Sequence, residues 1–143
     1  MKTSRGFSLL ELLIVVAIIL IIATIAIPSL LRSRQSANET SAVSNLRLVN
    51  TAEVTYASGH QGGYGAVTDL VTAGLLDARF NQVVSGYSFG VTVSANTLDY
   101  TANATARVSN DGRYDYYTQP DYIIRYSGTA SRAPTGLTGE PVR

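Results

Sequence analysis

The sequence predicts an α+β protein in which one long N-terminal helix packs on a four-stranded antiparallel sheet. Three observations predict it. An apolar run from Leu9 to Ile27, broken by the single charge of Glu11, has the length of a membrane-crossing helix. Between Ser29 and Ser58 there is neither glycine nor proline, and Ala42, Leu46, Val49, Ala52 and Tyr56 recur on one helical face. From Gly86 onward the apolar period falls to two, and turn signals punctuate the chain.

Taken in order, residues 1–6 form a short basic leader ending at Gly6, and residues 7–28 form the apolar helix. A carboxylate at the centre of a bilayer costs about 2.5–3.5 kcal/mol. Glu11 lies near the start of the run, where reaching toward the interface relieves part of that cost. A snorkelling Glu in a single-pass anchor is one reading. The other starts at the Gly6–Phe7 junction. A cut there would leave an α-amine on Phe7, one helical turn from Glu11. The amine of one subunit could then meet the carboxylate of a neighbour inside a bundle. Such a pair gains strength at low effective dielectric, against its desolvation cost.

Two other targeting readings fit less well. A secretory signal peptide has an apolar middle of about 7–15 residues. The run here is longer, contains Glu11, and offers only Thr24-Ile25-Ala26 as a cleavage-like triplet, just before Pro28. A plain signal anchor explains the length but not the Gly-Phe-x-x-x-Glu order. Lys2 and Arg5 precede the run while Arg32 and Arg34 follow it, so the free amine of Met1 tips the orientation toward leader-inside.

Residues 29–58 extend the helix as an amphipathic half. Helix from Phe7 to Ser58 would be about 78 Å long. Pro28 removes one backbone hydrogen bond and should bend or locally melt it. Arg32, Arg34, Glu39 and Arg47 suit a wet or inter-subunit surface, and Glu53 reads as a carboxylate at the edge of the apolar stripe, bonded to a loop amide. Residues 59–126 form the head. Gly59 to Gly65 is a glycine-dense connector, with no Lys-Ser/Thr pair that would make it a phosphate loop. Val67 to Leu76 is consistent with a short helix, with Asp69 in its first turn. Tyr87, Phe89, Val91 and Val93 alternate, as do Leu98, Tyr100 and Ala102, with Asn96-Thr97 as the turn between them. Asn110-Asp111-Gly112 is a hairpin signal. Arg113–Thr118 and Tyr122–Tyr126 read as two more strands around Gln119-Pro120-Asp121. Residues 127–143, rich in Gly, Pro, Ser and Thr, read as a flexible tail.

Met-Lys-Thr-Ser-Arg-Gly followed by Phe-Ser-Leu-Leu-Glu, a long apolar helix and Pro28 resembles the type IV prepilin signature, shared with the pseudopilins of type II secretion. The resemblance covers roughly the first third of the chain. Ser85-Gly86-Tyr87-Ser88-Phe89 and Asp121-Tyr122-Ile123-Ile124-Arg125 also look like head phrases of glycine-cleaved members. The resemblance implies a pilin fold. It also implies cleavage after Gly6 by a prepilin peptidase, N-methylation of Phe7, Glu11 as the assembly carboxylate, and Pro28 as the helix-kinking proline. The implied partners are further copies of the chain in a helical filament, the inner-membrane pilus or secretion machinery, and membrane lipid before assembly. The implied location is the inner membrane, then a cell-surface filament. A periplasmic pseudopilus subunit, or a minor pilin with an adhesin or DNA-uptake role, is the alternative.

Composition bounds the rest. There is no cysteine, whereas many major pilins staple the C-terminal region with a disulfide, so hydrogen bonds, packing, a metal or neighbouring subunits must hold this head. Residues 29–143 carry nine Arg against nine Asp or Glu, so no specific nucleic-acid partner is expected. No catalytic set is present: His60 is the only histidine, and no Gly-x-Ser-x-Gly occurs. No cofactor and no metal site is expected. Asp111, Asp115 and Asp121 cluster in sequence, but their spacing fits no calcium loop. The seven tyrosines from Tyr87 to Tyr126 suit half-buried strand faces. Tyr114, Tyr116 and Tyr117 cannot all face one way in a strand, so at least one is expected at the surface.

Overall fold

The structure, a computed structural model, describes residues 7–126 and 139–142. The leader call, including Gly6, and most of the tail call (127–138 and 143) lie outside the described residues. The chain divides into two compact units between Ser33 and Arg34.

One helix, α1 (Leu9–Gly59), belongs to both units. Its N-terminal part is long and apolar enough to cross a membrane, and its Leu, Ile and Val side chains are exposed. The helix continues through Pro28, so no local melting occurs there. The missing proline N–H would have served the Thr24 carbonyl, four residues back. The Thr24 hydroxyl is itself satisfied by the Ile21 carbonyl at 2.7 Å, a bond that a hydroxyl would need if lipid surrounded it.

From Arg34 onward α1 has a buried face. Ala42, Val43, Leu46, Val49, Ala52 and the polar Glu39, Asn50 and Glu53 lie at helical spacing and are buried. They cover a five-stranded antiparallel meander: β1 (Tyr87–Val93), β2 (Tyr100–Ala106), β3 (Tyr116–Thr118), β4 (Arg125–Tyr126) and β5 (Glu140–Pro141), in that spatial order. The expected α+β architecture is the observed one. Side-chain size alternates across the β1–β2 register: Tyr87 faces Ala106, Phe89 faces Ala104, Val91 faces Ala102 and Val93 faces Tyr100. Small residues on β2 leave room for the helix, and the aromatic residues fill the flanks. A buried polar tie crosses this core. The Tyr100 hydroxyl donates to Asn50 Oδ1 at 2.9 Å, and Asn50 Nδ2 donates to the Thr118 hydroxyl at 3.0 Å. Pairing a helix amide with two strands fixes the helix register on the sheet, because slipping it would strand buried donors.

Five expectations are corrected. The sheet has five strands rather than four: Glu140–Pro141 pairs with β4, Val142 N–H donates to the Ile124 carbonyl, and the Tyr126 hydroxyl donates to Glu140. Pro141 is tolerated because this strand is an edge. The strand expected at Arg113–Thr118 begins only at Tyr116, and Asn110-Asp111-Gly112 is no tight hairpin but part of a longer connection bound to α1. Gln35 Nε2 donates to the Ser109 carbonyl, Asn38 Nδ2 donates to the Asp111 carbonyl, and Glu39 accepts the Arg113 N–H and guanidinium. The strand expected at Tyr122–Tyr126 shrinks to Arg125–Tyr126, because Tyr122 takes φ +59° and Asp121 folds back onto Ile123 N–H and the Arg125 guanidinium. Neither Tyr116 nor Tyr117 is exposed, although they face opposite ways. Tyr117 bonds Arg125 on the far face, and Tyr114 is half-buried with its ring 4.9 Å from that of Tyr126.

A short helix, α2 (Val67–Thr72), and a 3-10 turn (Ala78–Asn81) connect α1 to β1 and close one side of the core with Leu70 and Phe80.

Candidate assembly site

The first turn of α1 is built by two short polar residues. Ser8 stands at the N-cap. Its hydroxyl accepts the Leu10 N–H at 3.3 Å, and its carbonyl accepts the Leu12 N–H at 3.3 Å. Glu11 reaches back, and its Oε2 accepts the Ser8 N–H at 3.0 Å. The Glu11 half of this arrangement is that of a capping box, whose sequence signature is Ser-x-x-Glu, while the Ser8 hydroxyl bonds the second helical N–H rather than the third. Sequence reasoning treated Glu11 as a charge in need of a partner and overlooked Ser8. The spacing of the two residues was the available signal. The cap satisfies helix-end donors that would be costly in an apolar layer, and it places a carboxylate at the positive end of the helix dipole. Phe7 lies just ahead of the cap and is 87% exposed. Ser8 and Glu11 thus form a polar tip on an apolar rod, with the apolar Phe7 side chain exposed just ahead of it.

The head's ionisable groups are mostly structural ties. Arg113 holds Glu39 through Nε and Nη2 at 3.1 and 2.9 Å, across 74 residues of sequence. Asp111 pairs with Arg107 at 3.2 Å, Asp115 accepts the Ala106 N–H at 2.9 Å, and Asp121 pairs with Arg125. The three aspartates that cluster in sequence therefore serve three separate ties. His60 stacks on Tyr56 with ring centroids 3.8 Å apart and donates from Nδ1 to the Tyr56 carbonyl at 2.8 Å, capping the end of α1.

Glu53 differs from these. It bonds a loop amide, Gly65 N–H, at 3.1 Å, but it is fully buried rather than at an edge, and its Oε1 meets no donor among the described residues. Burial, opposed by the Gly65 bond and reinforced by the negative field of Asp69, pushes its carboxyl up to about 7. The unfolded chain lacks this burial, so folding takes up a proton between the ordinary carboxylate value of 4.5 and about 7. The stability linked to that proton is complete below the lower value and is lost as pH rises through the upper one. Asp121 has the opposite sense: Arg125 holds it below the usual range, so its contribution fades only in stronger acid. Between about pH 5 and pH 8 the detergent-solubilised chain should therefore lose up to about 3 kcal/mol as pH rises. Glu53→Gln keeps an acceptor for Gly65 and should flatten that slope. An unchanged slope in thermal melts of the variant would count against Glu53 as its source.

Residues 1–27 match the family model of the prokaryotic N-terminal methylation motif. The chain is 55% identical over 40 residues to the type IV wide pilus major component PilA4 of Thermus thermophilus, a stretch that covers 28% of this chain and 30% of that protein. It is 44% identical over 55 residues to the type IV major pilin protein PilA of Myxococcus xanthus, covering 38% of this chain and 25% of that protein. The matched stretches thus span less than a third of these curated relatives. No solved structure matches the chain.

Proposed function

We propose, from the premise that this chain belongs through its N-terminal segment to the type IV pilin family, that it is the structural subunit of a type IV pilus-like extracellular filament. The observation that carries this reading is the match over residues 1–27, together with the exposed Phe7–Ser8–Glu11 cap on an uncovered apolar helix. In this reading the chain waits in the inner membrane with residues 1–6 as its leader. A prepilin peptidase cuts between Gly6 and Phe7, and the new Phe7 amine is methylated. Residues 7–28 then leave lipid for the filament core, where Pro28 kinks the helix. Residues 29–58 carry the head, 59–126, to the surface, and 127–143 form the tail. Because lipid is as apolar as the core, the transfer gains little from hydrophobicity. Close packing and the meeting of the Glu11 carboxylate with a neighbour's amine set the register. Both relatives are named as major pilus components, which supports an abundant structural role over that of a minor pilin or a pseudopilin.

Intact mass and N-terminal sequencing of sheared surface filaments test this. The expected result is a dominant chain that begins at methylated Phe7. Finding the processed chain only in the cell envelope would overturn the pilus reading. Replacing Gly6 with a bulky residue should leave the leader attached. A mature mass from that variant would remove the cleavage step.

A further inference from the structure

The two ends of the head present opposite exposed charges. Where α1 stops, three connections meet: 60–66, 94–99 and 119–124. Tyr64 holds them together. Its N–H donates to the Thr97 carbonyl at 2.8 Å, its hydroxyl bonds that of Tyr122, and its ring lies 4.6 Å from that of Tyr100. Asp99 and Asp121 are exposed on these connections and Asp69 just beyond the first of them; the connections carry no Arg or Lys, and Arg125, which follows the third, is buried against Asp121. Leu98, Tyr122 and Ile123 stand exposed among the carboxylates.

The opposite end of the head reverses the pattern. There the 107–115 connection folds over the first turns of the head's part of α1. Arg34, Arg107 and Arg113 are exposed, while Glu39, Asp111 and Asp115 are buried beneath the surface. Val108 is the exposed apolar residue of this base. The head as a whole is close to neutral, so the separation is one of placement: Asp69, Asp99 and Asp121 face outward at the tip, while at the base Glu39, Asp111 and Asp115 face inward and Glu140, beside Tyr126, is the exposed acid.

We infer that the acidic tip of one head docks on the arginine-lined base of a second copy, Asp99 against Arg107 or Arg34, with Leu98, Tyr122 and Ile123 covering Val108. Asp99 and Arg34 make no ion pair among the described residues, so each is free to take a partner across the contact. The occupant is a second copy because the complementary surface is on this chain, and because tip against tip or base against base would oppose like charges. Such a contact is heterologous, the kind that repeats from copy to copy along an open filament when its rotation does not close a ring. The apolar centre with a charged rim is the usual anatomy of a specific interface. The inference rests on the filament reading and adds to it a head-to-head contact outside the helical core.

The test uses the full chain in its own host. Asp99→Lys should reduce sheared filament mass about tenfold while processed subunit accumulates in the envelope, because a like-charge contact opposes docking. Adding Arg107→Glu or Arg34→Glu to that variant should bring the yield back toward wild type. Normal filament yield from Asp99→Lys overturns the contact and leaves the filament reading standing, as does failure of both second changes to restore assembly in subunits that melt like wild type. Absence of wild-type filaments overturns both.

Discussion

Gly112→Ala should unfold the head at temperatures where the wild-type chain is stable. A Cβ at this position would lie 1.9 Å from the Tyr87 hydroxyl oxygen and 2.5 Å from the ring carbon that bears it. No real contact is that short, so something must move. The neighbour is not the loose end of a flexible side chain. Tyr87 is completely buried, its ring packs near that of Tyr116, and its hydroxyl donates to the Tyr114 carbonyl at 2.7 Å. If the ring retreats, the core loses a filled volume and a buried bond. If the 107–115 connection retreats instead, the Asn38–Asp111 and Glu39–Arg113 ties to α1 stretch. Overpacking combined with a lost buried bond costs about 4 kcal/mol, a large share of the about 5–15 kcal/mol that holds a domain together. A thermal melt of the detergent-solubilised chain should fall by about 15–25 °C. Gly59→Ala is the control: its Cβ would meet nothing within 4 Å, and its backbone is helical. That change should be neutral or stabilise slightly. A Gly112→Ala protein that melts with the Gly59→Ala protein would mean that Tyr87 has a free alternative position.

The contrast between these two glycines shows which parts of the molecule sequence could reveal. The helix, the meander and the cap are local patterns. The apolar run gives the length of a span, Ala42, Leu46 and Val49 give a face, Tyr87 to Val93 alternates, and Ser8-x-x-Glu11 sits within one turn. What escaped was decided by contacts distant in sequence. Asn110-Asp111-Gly112 has the composition of a tight hairpin, but partners more than 70 residues earlier, Asn38 and Glu39, draw it out over α1 and delay β3. The burial of Glu53 depends on Gly65 folding back over it, which no helical period reveals. The fifth strand was hidden because a Gly- and Pro-rich stretch reads as a tail until an open sheet edge is available to receive it. At the candidate site the residue types were legible, but the bond between Ser8 and Glu11 changes what Glu11 must be tested for.

Glu11→Leu is expected to abolish filament assembly while the subunit is still inserted and cleaved. The geometry makes that variant ambiguous, because it removes two things. One is the negative charge proposed to meet a neighbour's Phe7 amine. The other is the acceptor that holds the Ser8 N–H and closes the helix cap, whose loss costs about 1 kcal/mol. Glu11→Gln separates them. A Gln carbonyl oxygen can accept the Ser8 N–H as Glu does, so the first turn stays capped, but the charge is gone. In the low-dielectric core an amine facing a neutral amide keeps its desolvation cost and loses its ion pair, a penalty of several kcal/mol per subunit repeated along the filament. Filament mass from Glu11→Gln should therefore fall at least about 100-fold, close to that from Glu11→Leu. Processing should stay intact in both, since removing a carboxylate from the apolar run lowers the cost of insertion rather than raising it. The pair of variants is read by intact mass of the envelope fraction and by filament yield in one experiment. If Glu11→Gln assembles like wild type while Glu11→Leu does not, the carboxylate acts by capping its own helix, and the register must come from packing alone. If both assemble, neither the cap nor the charge guides the filament.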